Sequence, residues 1–97
     1  MADFLLLMHD DAAGPTADGW PAYLAGLRAR GAFEGGSAIG RGLCVRKAGP
    51  TPAVGAHLTG FIRVTADSLE AARGLVAGNP VFEAGGTVEI RELPRTD

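Results

Sequence analysis

The chain has very little cysteine, few aromatic residues and no excess of positive charge. Of its 97 residues one is cysteine, 6% are aromatic and 21% are charged, and the formal net charge is −2. A single cysteine excludes a disulfide within the chain and a zinc site built from several thiolates. Without a basic surface to neutralise phosphates, the composition argues against nucleic acid as a partner.

Long hydrophobic runs are also missing where a leader or anchor would need one. The N-terminal apolar stretch, FLLLM at residues 4–8, has five residues, whereas a membrane-spanning helix needs about 20. Asp3 precedes this stretch, which is unlike the basic start of a secretory signal. The sequence therefore predicts a cytoplasmic protein with no membrane partner.

Hydrophobic residues are plentiful enough for a folded core. They make up 46% of the chain, which argues against disorder, and the length predicts a single domain over residues 1–97. A domain this small buries a smaller fraction of its surface than a larger one does. A partner subunit would therefore help to stabilise it.

The hydrophobic patterns predict the element order β-α-β-β-α-β. A short apolar run near the N-terminus suggests a strand that is covered on both faces. Apolar residues recur at helical spacing after Pro21, and apolar and polar residues alternate after His57 and again near the C-terminus. In order, the predicted elements are residues 3–9, 20–31, an interrupted strand with its better half at 42–47 (GLCVRK), 57–65, 67–78 and 86–93. Cys44 is expected to be a packed, inert thiol in the third of these.

Two helices over one face of a four-stranded antiparallel sheet make the ferredoxin-like α+β fold. The alternation places Leu58, Ile62 and Val64 towards the helices and Phe61 on the opposite face. Left open to water, that face would expose Phe61 and alternate residues of the first strand. We therefore expect a second copy of the sheet to pack there, giving a homodimer.

Six residues are candidates for a ligand site in the cleft between the sheet and the partner subunit. They are His9, His57, Phe61, Arg63, Glu89 and Arg91. His9 is the candidate catalytic group because a histidine followed by two aspartates suits proton transfer. The arginines suit a carboxylate-bearing ligand. The alternative is that Arg63 forms an ion pair with Glu89, directly or across the dimer, and orders the interface.

No metal site and no cofactor are predicted. We take the first and third strands to be parallel neighbours, so that His9 ends one strand and His57 begins the other at the opposite end of the sheet. Under that assumption the two imidazoles of one protomer do not reach the same ion, and a site with two histidines is left open only across a dimer.

Three segments resemble YCII-related proteins, in particular the branch that includes the DGPF domain. They are FLLLMHDD at 4–11, WPAYLAGLRARG at 20–31 and SLEAARGLVAGNPVFEAGGTVEIRELP at 68–94. The resemblance spans nearly the whole chain. It implies a dimeric α+β barrel, in which two ferredoxin-like protomers pack sheet on sheet with their helices outside.

The resemblance implies less about activity. Some YCII-like proteins carry a His-Asp pair proposed as an active site, and here Tyr23 stands at the position of that histidine. Ala29 or Arg30 occupies the region of the aspartate, and Asn79 precedes Pro80, so the pair is absent. The loop KAGPTPAVGAH at 47–57 replaces the DGPF string.

Three functions follow from the sequence as alternatives. The first is a homodimer that binds a small ligand, such as an organic anion, in the cleft between sheet and partner. The second is a small acid/base enzyme of the dimeric α+β barrel type that acts on an organic acid or cyclic metabolite. The third is an interaction module linked to transcription regulation, because related domains occur beside transcription regulators.

Overall fold

The computed structural model describes residues 1–95, in which four strands form one antiparallel sheet of order β2-β3-β1-β4. The strands are β1 (Ala2–His9), β2 (Phe33–Ala38), β3 (Leu58–Ala66) and β4 (Val88–Leu93). The helices are α1 (Trp20–Ala29), α2 (Leu69–Arg73) and α3 (Pro80–Glu83). This confirms the predicted ferredoxin-like α+β fold. Within residues 1–95, none of the helices has the length and apolarity required to cross a membrane.

The two central strands, β1 and β3, are antiparallel neighbours. Leu6 lies opposite Ile62, and His9 lies opposite Leu58. The expectation that these strands are parallel is wrong. The crossover through α1 makes β1 parallel to β2, and β3, which lies between them, must run the other way. The end of β1 and the start of β3 therefore lie side by side at the same end of the sheet.

The hydrophobic core lies between the sheet and the helices. Alternate residues of β1 and β3 are buried there, as the two-residue period of a strand requires. The main buried side chains are Phe4, Leu6, Met8, Tyr23, Leu27, Ile62, Val64, Ala72, Val76 and Val81. The predicted inward direction of Ile62 and Val64 is confirmed.

The second helical region is shorter and more broken than the predicted helix over 67–78. Asp67 and Glu70 have the spacing of a capping box, but the N-cap of the five-residue α2 is Ser68, whose hydroxyl accepts a hydrogen bond from the Ala71 amide at 3.1 Å. Leu69, whose spacing with Ala72 and Val76 predicts a buried side chain, is 47% exposed. α2 ends at Arg73, with Gly74 as its C-cap, well before the predicted end at Gly78. Gly78 itself has a φ of +87°, which is typical of a residue that stops a helix.

α3 was not predicted as a helix, although its start follows simple capping chemistry. Asn79 is fully buried, and its side-chain oxygen accepts hydrogen bonds from the amides of Val81 and Phe82 at 2.9 and 3.2 Å. Pro80 at the first helical position has no N–H that needs a partner. The Asn-Pro pair therefore both ends the preceding turn and begins a new one.

The second strand occupies the earlier part of the predicted interrupted strand and not its better half at 42–47. β2 covers Phe33–Ala38, whereas residues 42–47 form no strand, with Leu43 and Val45 78% and 86% exposed. The reason is register: Ala38 already lies opposite Gly60, and β3 begins only two residues before that glycine. Residues beyond 40 therefore have no strand to pair with. Cys44 lies in this loop and is half-buried instead of packed in a strand.

Tyr23 packs in the core, as its spacing with Leu27 predicts. It is 7% exposed, and its hydroxyl donates a hydrogen bond to the Leu75 carbonyl at 2.7 Å. Burial raises the pKa of Tyr23 above its ordinary value of 10.0. A raised pKa means that the folded state holds the neutral phenol, so this contribution to stability is complete below pH 10 and is lost as the pH rises through the folded-state pKa.

We therefore expect Tyr23→Phe to lower the free energy of unfolding by about 1 kcal/mol at pH 7, because the Leu75 carbonyl loses its partner. Above pH 10 the difference from wild type should shrink, because the wild-type phenol ionises at the expense of folding and the variant has none. Urea unfolding at pH 7, 9 and 10.5 measures both values. A difference that stays constant across this range would contradict the prediction.

Candidate functional site

The sheet surface opposite the helices, which we call the open face, has an apolar centre and a polar surround. Leu5 and Leu7 of β1 and Phe61 of β3 form the centre, and all are half-buried. Around them lie Asp3, His9, Arg63, Glu89 and Arg91, from alternate positions of β1, β3 and β4. Five of the six sequence-predicted site residues therefore share this face.

A hydrogen-bonded row connects β1 with β4. Nε2 of His9 lies 2.9 Å from Oε1 of Glu89, and Oε2 of Glu89 accepts a hydrogen bond from Arg91 at 3.2 Å. The side chains of His9 and Glu89 are 22% and 34% exposed. The hydrogen bonds from His9 and Arg91 lower the pKa of Glu89. An ionised carboxylate that holds an imidazole in place is the arrangement of an oriented general base.

His57 joins this row from the start of β3. Its ring stands edge-to-face against the His9 ring, with 4.9 Å between the centroids. Ring nitrogens of His9 and His57 and a carboxylate oxygen of Glu89 all lie within 4.8 Å of one another. The expectation that the two histidines lie at opposite ends of the sheet is wrong, because it followed from the parallel arrangement of β1 and β3.

Arg63 has a different partner from the one considered in the sequence. It donates to Asp3 at 3.0 Å, and Arg95 approaches the same carboxylate oxygen at 3.7 Å. Within one chain an Arg63–Glu89 ion pair does not form, because β1 separates β3 from β4. Arg63 and Arg91 instead lie on either side of Leu5, which is opposite both in the register.

The backbone beside His9 is tied by Asp11 to Thr87, the residue just before β4. Its carboxylate accepts hydrogen bonds from the amide and the hydroxyl of Thr87, at 2.8 and 2.6 Å. These bonds lower the pKa of Asp11. The His9 amide also donates to the Thr87 carbonyl at 3.0 Å, so the end of β1 is fixed against β4 on both sides of the histidine.

A cavity of about 310 Å³ lies on the other side of the sheet, under α1, and was not predicted. Its lining is mostly apolar and includes Met8, Trp20 and Leu24. Gly36 and Gly60 also line it, and a Cβ at Gly36 would lie 2.6 Å from the Phe61 carbonyl oxygen, so the close approach of β2 and β3 requires glycine there. Its lining comes from several separate segments of the chain, so no local sequence pattern marks this space.

The comparisons with known proteins support the fold but identify no family. The chain is similar to the structure of 5-chloro-2-hydroxyhydroquinone dehydrochlorinase from Burkholderia phenoliruptrix in complex with 2,5-dihydroxybenzoquinone, with a TM-score of 0.59 and 20% identity. The match covers 97% of this chain and 95% of that chain. No protein-family model matches, and no curated protein matches at the level of sequence. At this identity the likeness shows a shared fold alone.

Proposed function

We propose that the protein is a homodimer of YCII-related type that binds a small organic anion between two packed open faces, beside His9 and Glu89. One observation carries this proposal. The hydrogen-bonded row of His9, Glu89 and Arg91 borders an apolar centre that a single chain leaves half-buried.

The apolar centre supports the dimer. An interface typically has a hydrophobic middle and a polar rim, and the open face has this composition with Leu5, Leu7 and Phe61 in the middle. A two-fold axis through the centre would place the same residues against one another. The chain measures only 19 Å along its shortest axis, which is the thickness of one sheet with one layer of helices. Within residues 1–95 of a single chain nothing covers the open face, and a second sheet packed on it would shield it from solvent.

The charges of the open face support an anionic ligand. Three arginines, Arg63, Arg91 and Arg95, surround two carboxylates, Asp3 and Glu89, although the chain as a whole carries a net charge of −2. A guanidinium group has five N–H donors. The observed ion pairs engage one nitrogen of Arg63 and one of Arg91, so further donors remain for a carboxylate or an enolate.

A second candidate is a small acid/base enzyme, and the 2.9 Å contact between His9 and Glu89 favours it. In this role Glu89 orients the imidazole, His9 moves a proton to or from the ligand, and Arg91 holds Glu89 ionised. The similar solved structure, a dehydrochlorinase, holds 2,5-dihydroxybenzoquinone, a small acidic ring compound that makes a suitable probe.

The test combines the association state with binding of that probe. We expect sedimentation equilibrium to show a dimer, and calorimetric titration with 2,5-dihydroxybenzoquinone to show saturable binding. Arg91→Gln should weaken binding about 10-fold or more, because a hydrogen bond to a charged group is lost. Arg73→Gln, at an exposed ion pair on α2, is the matched control and should bind like wild type.

Two results would contradict the proposal: a monomer at every concentration, or equal affinity in wild type and Arg91→Gln. The enzymatic candidate is separated by His9→Gln. In D2O, wild type should catalyse exchange of the probe's ring hydrogens for deuterium, followed by NMR, and His9→Gln should not. Simple ligand binding predicts no catalysed exchange by either protein.

A further inference from the structure

The geometry points to a metal site: we propose that His9, His57 and Glu89 of one chain bind a divalent transition metal ion, with zinc the best match. All three donors belong to the same protomer, so the site does not depend on the proposed dimer. The chain has two histidines in total, and the antiparallel pairing of β1 with β3 brings both to one place.

The donor set suits zinc and related ions. Two imidazoles and one carboxylate form a known three-residue zinc set, in which a fourth position is open to water or a ligand. Calcium and magnesium prefer oxygen donors, so the two imidazoles select against them. An open fourth position would also accept an anionic oxygen from a small molecule.

The spacing of the donors requires a small closure. In a tetrahedral site with bonds of about 2.0–2.1 Å, neighbouring donor atoms are about 3.4 Å apart. The nitrogen of His9 and the oxygen of Glu89 are already 2.9 Å apart, and the widest separation in the cluster is 4.8 Å. His57 is exposed, so rotation of its side chain can close the remaining distance without repacking the core.

The backbone around the cluster is held in position. The Asp10 amide donates to the His57 carbonyl at 2.7 Å, and the His9 amide donates to the Thr87 carbonyl at 3.0 Å. These bonds hold the three chain segments that carry the donors next to one another at one end of the sheet. A metal ion would therefore bind to a scaffold that already exists in its absence.

Arg91 lies beside the cluster and can orient Glu89, the proposed carboxylate ligand of the metal ion. Glu89 has two oxygens: Oε1 faces His9, and Oε2 accepts a hydrogen bond from Arg91. A metal ion between His9 and Oε1 leaves the Arg91 bond intact. Arg91 then acts as the outer-shell partner that metal-bound carboxylates usually have, and it is a positioning residue for the site.

The test is a titration of the untagged, metal-free protein with Co²⁺, followed by visible absorbance, and then with Zn²⁺ in competition. We expect one ion per chain, with micromolar or tighter binding and the intense bands of four-coordinate cobalt. His57→Gln should weaken Co²⁺ binding at least 100-fold, beyond the roughly 10–100-fold that an outer-shell partner costs. Because His57 is exposed, this variant should melt at the wild-type temperature, which separates lost binding from lost folding.

The control is Cys44→Ser, which removes the one thiol of the chain. It should leave both the affinity and the spectrum unchanged. Equal Co²⁺ affinity in wild type and His57→Gln would overturn the proposal, as would wild-type binding only at millimolar concentrations. Loss of the spectrum in Cys44→Ser would also overturn it, since the site would then lie at the thiol. None of these results depends on dimerisation or on the organic probe.

Discussion

Replacing Leu7 with aspartate is expected to convert the proposed dimer into monomers at micromolar concentrations. Leu7 lies at the centre of the open face, opposite Phe61 on one side and Glu89 on the other. In a two-fold dimer each substitution appears twice, and each new carboxylate would be buried near an existing one. An uncompensated buried charge costs about 3–5 kcal/mol, so the dissociation constant should rise by roughly 100-fold to more than 1,000-fold.

Sedimentation velocity over a series of concentrations measures this shift directly. The matched control is Leu43→Asp, the same substitution at a leucine that is 78% exposed in the loop before β3. It should sediment like wild type. A wild-type chain that stays monomeric, or a Leu7→Asp protein that associates as strongly as wild type, would show that the open face is not the dimer interface.

The sequence predicted the parts of the fold that depend on local patterns. The alternation around Ile62 and Val64 assigned both faces of β3 correctly, because side-chain direction along a strand has a period of two residues. The apolar positions of α1 likewise placed Tyr23 and Leu27 in the core. Each of these features is decided within a few residues of the chain.

The errors concern features that depend on distant parts of the chain. Residues 42–47 have the composition of a strand, but they have no partner because β3 starts at Leu58. The predicted second helix over 67–78 ends early, at Arg73, and Asn79 caps a further short helix just beyond its predicted end. Helical spacing alone did not show this early end, because Leu75 and Val76 continue the apolar pattern beyond Arg73.

In the candidate site, too, the sequence indicated which residue types could act, whereas the positions of those residues depended on distant parts of the chain. The sequence selected His9, His57 and Glu89 for their chemistry, but it separated the histidines because the direction of one strand was wrong. The contact between His9 and Glu89 joins residues 80 positions apart. Asp3 and Asp11 were not selected at all, since their roles follow from the register of β1 against β3 and β4.

Leu6→Ala is expected to cause the largest loss of stability among these variants. Leu6 of β1 is fully buried and lies opposite Ile62 of β3 on one side and Ile90 of β4 on the other. Removing a buried leucine side chain costs about 2–5 kcal/mol, as lost hydrophobic burial and the cavity left behind. Small domains typically unfold with about 5–15 kcal/mol, so the variant should lose a large part of its total stability. Thermal and urea unfolding measure the loss.

Leu7→Ala is the matched control, because it makes the same change one residue along the same strand but on the open face. Leu6 packs inside one chain, so its loss should be the same at every protein concentration. Leu7 contributes mainly through the proposed dimer, so its loss should grow with concentration as association becomes part of folding. Equal, concentration-independent losses at both positions would mean that the open face is stabilised within the single chain, and a small loss at Leu6 would mean that the helices do not cover the sheet as described.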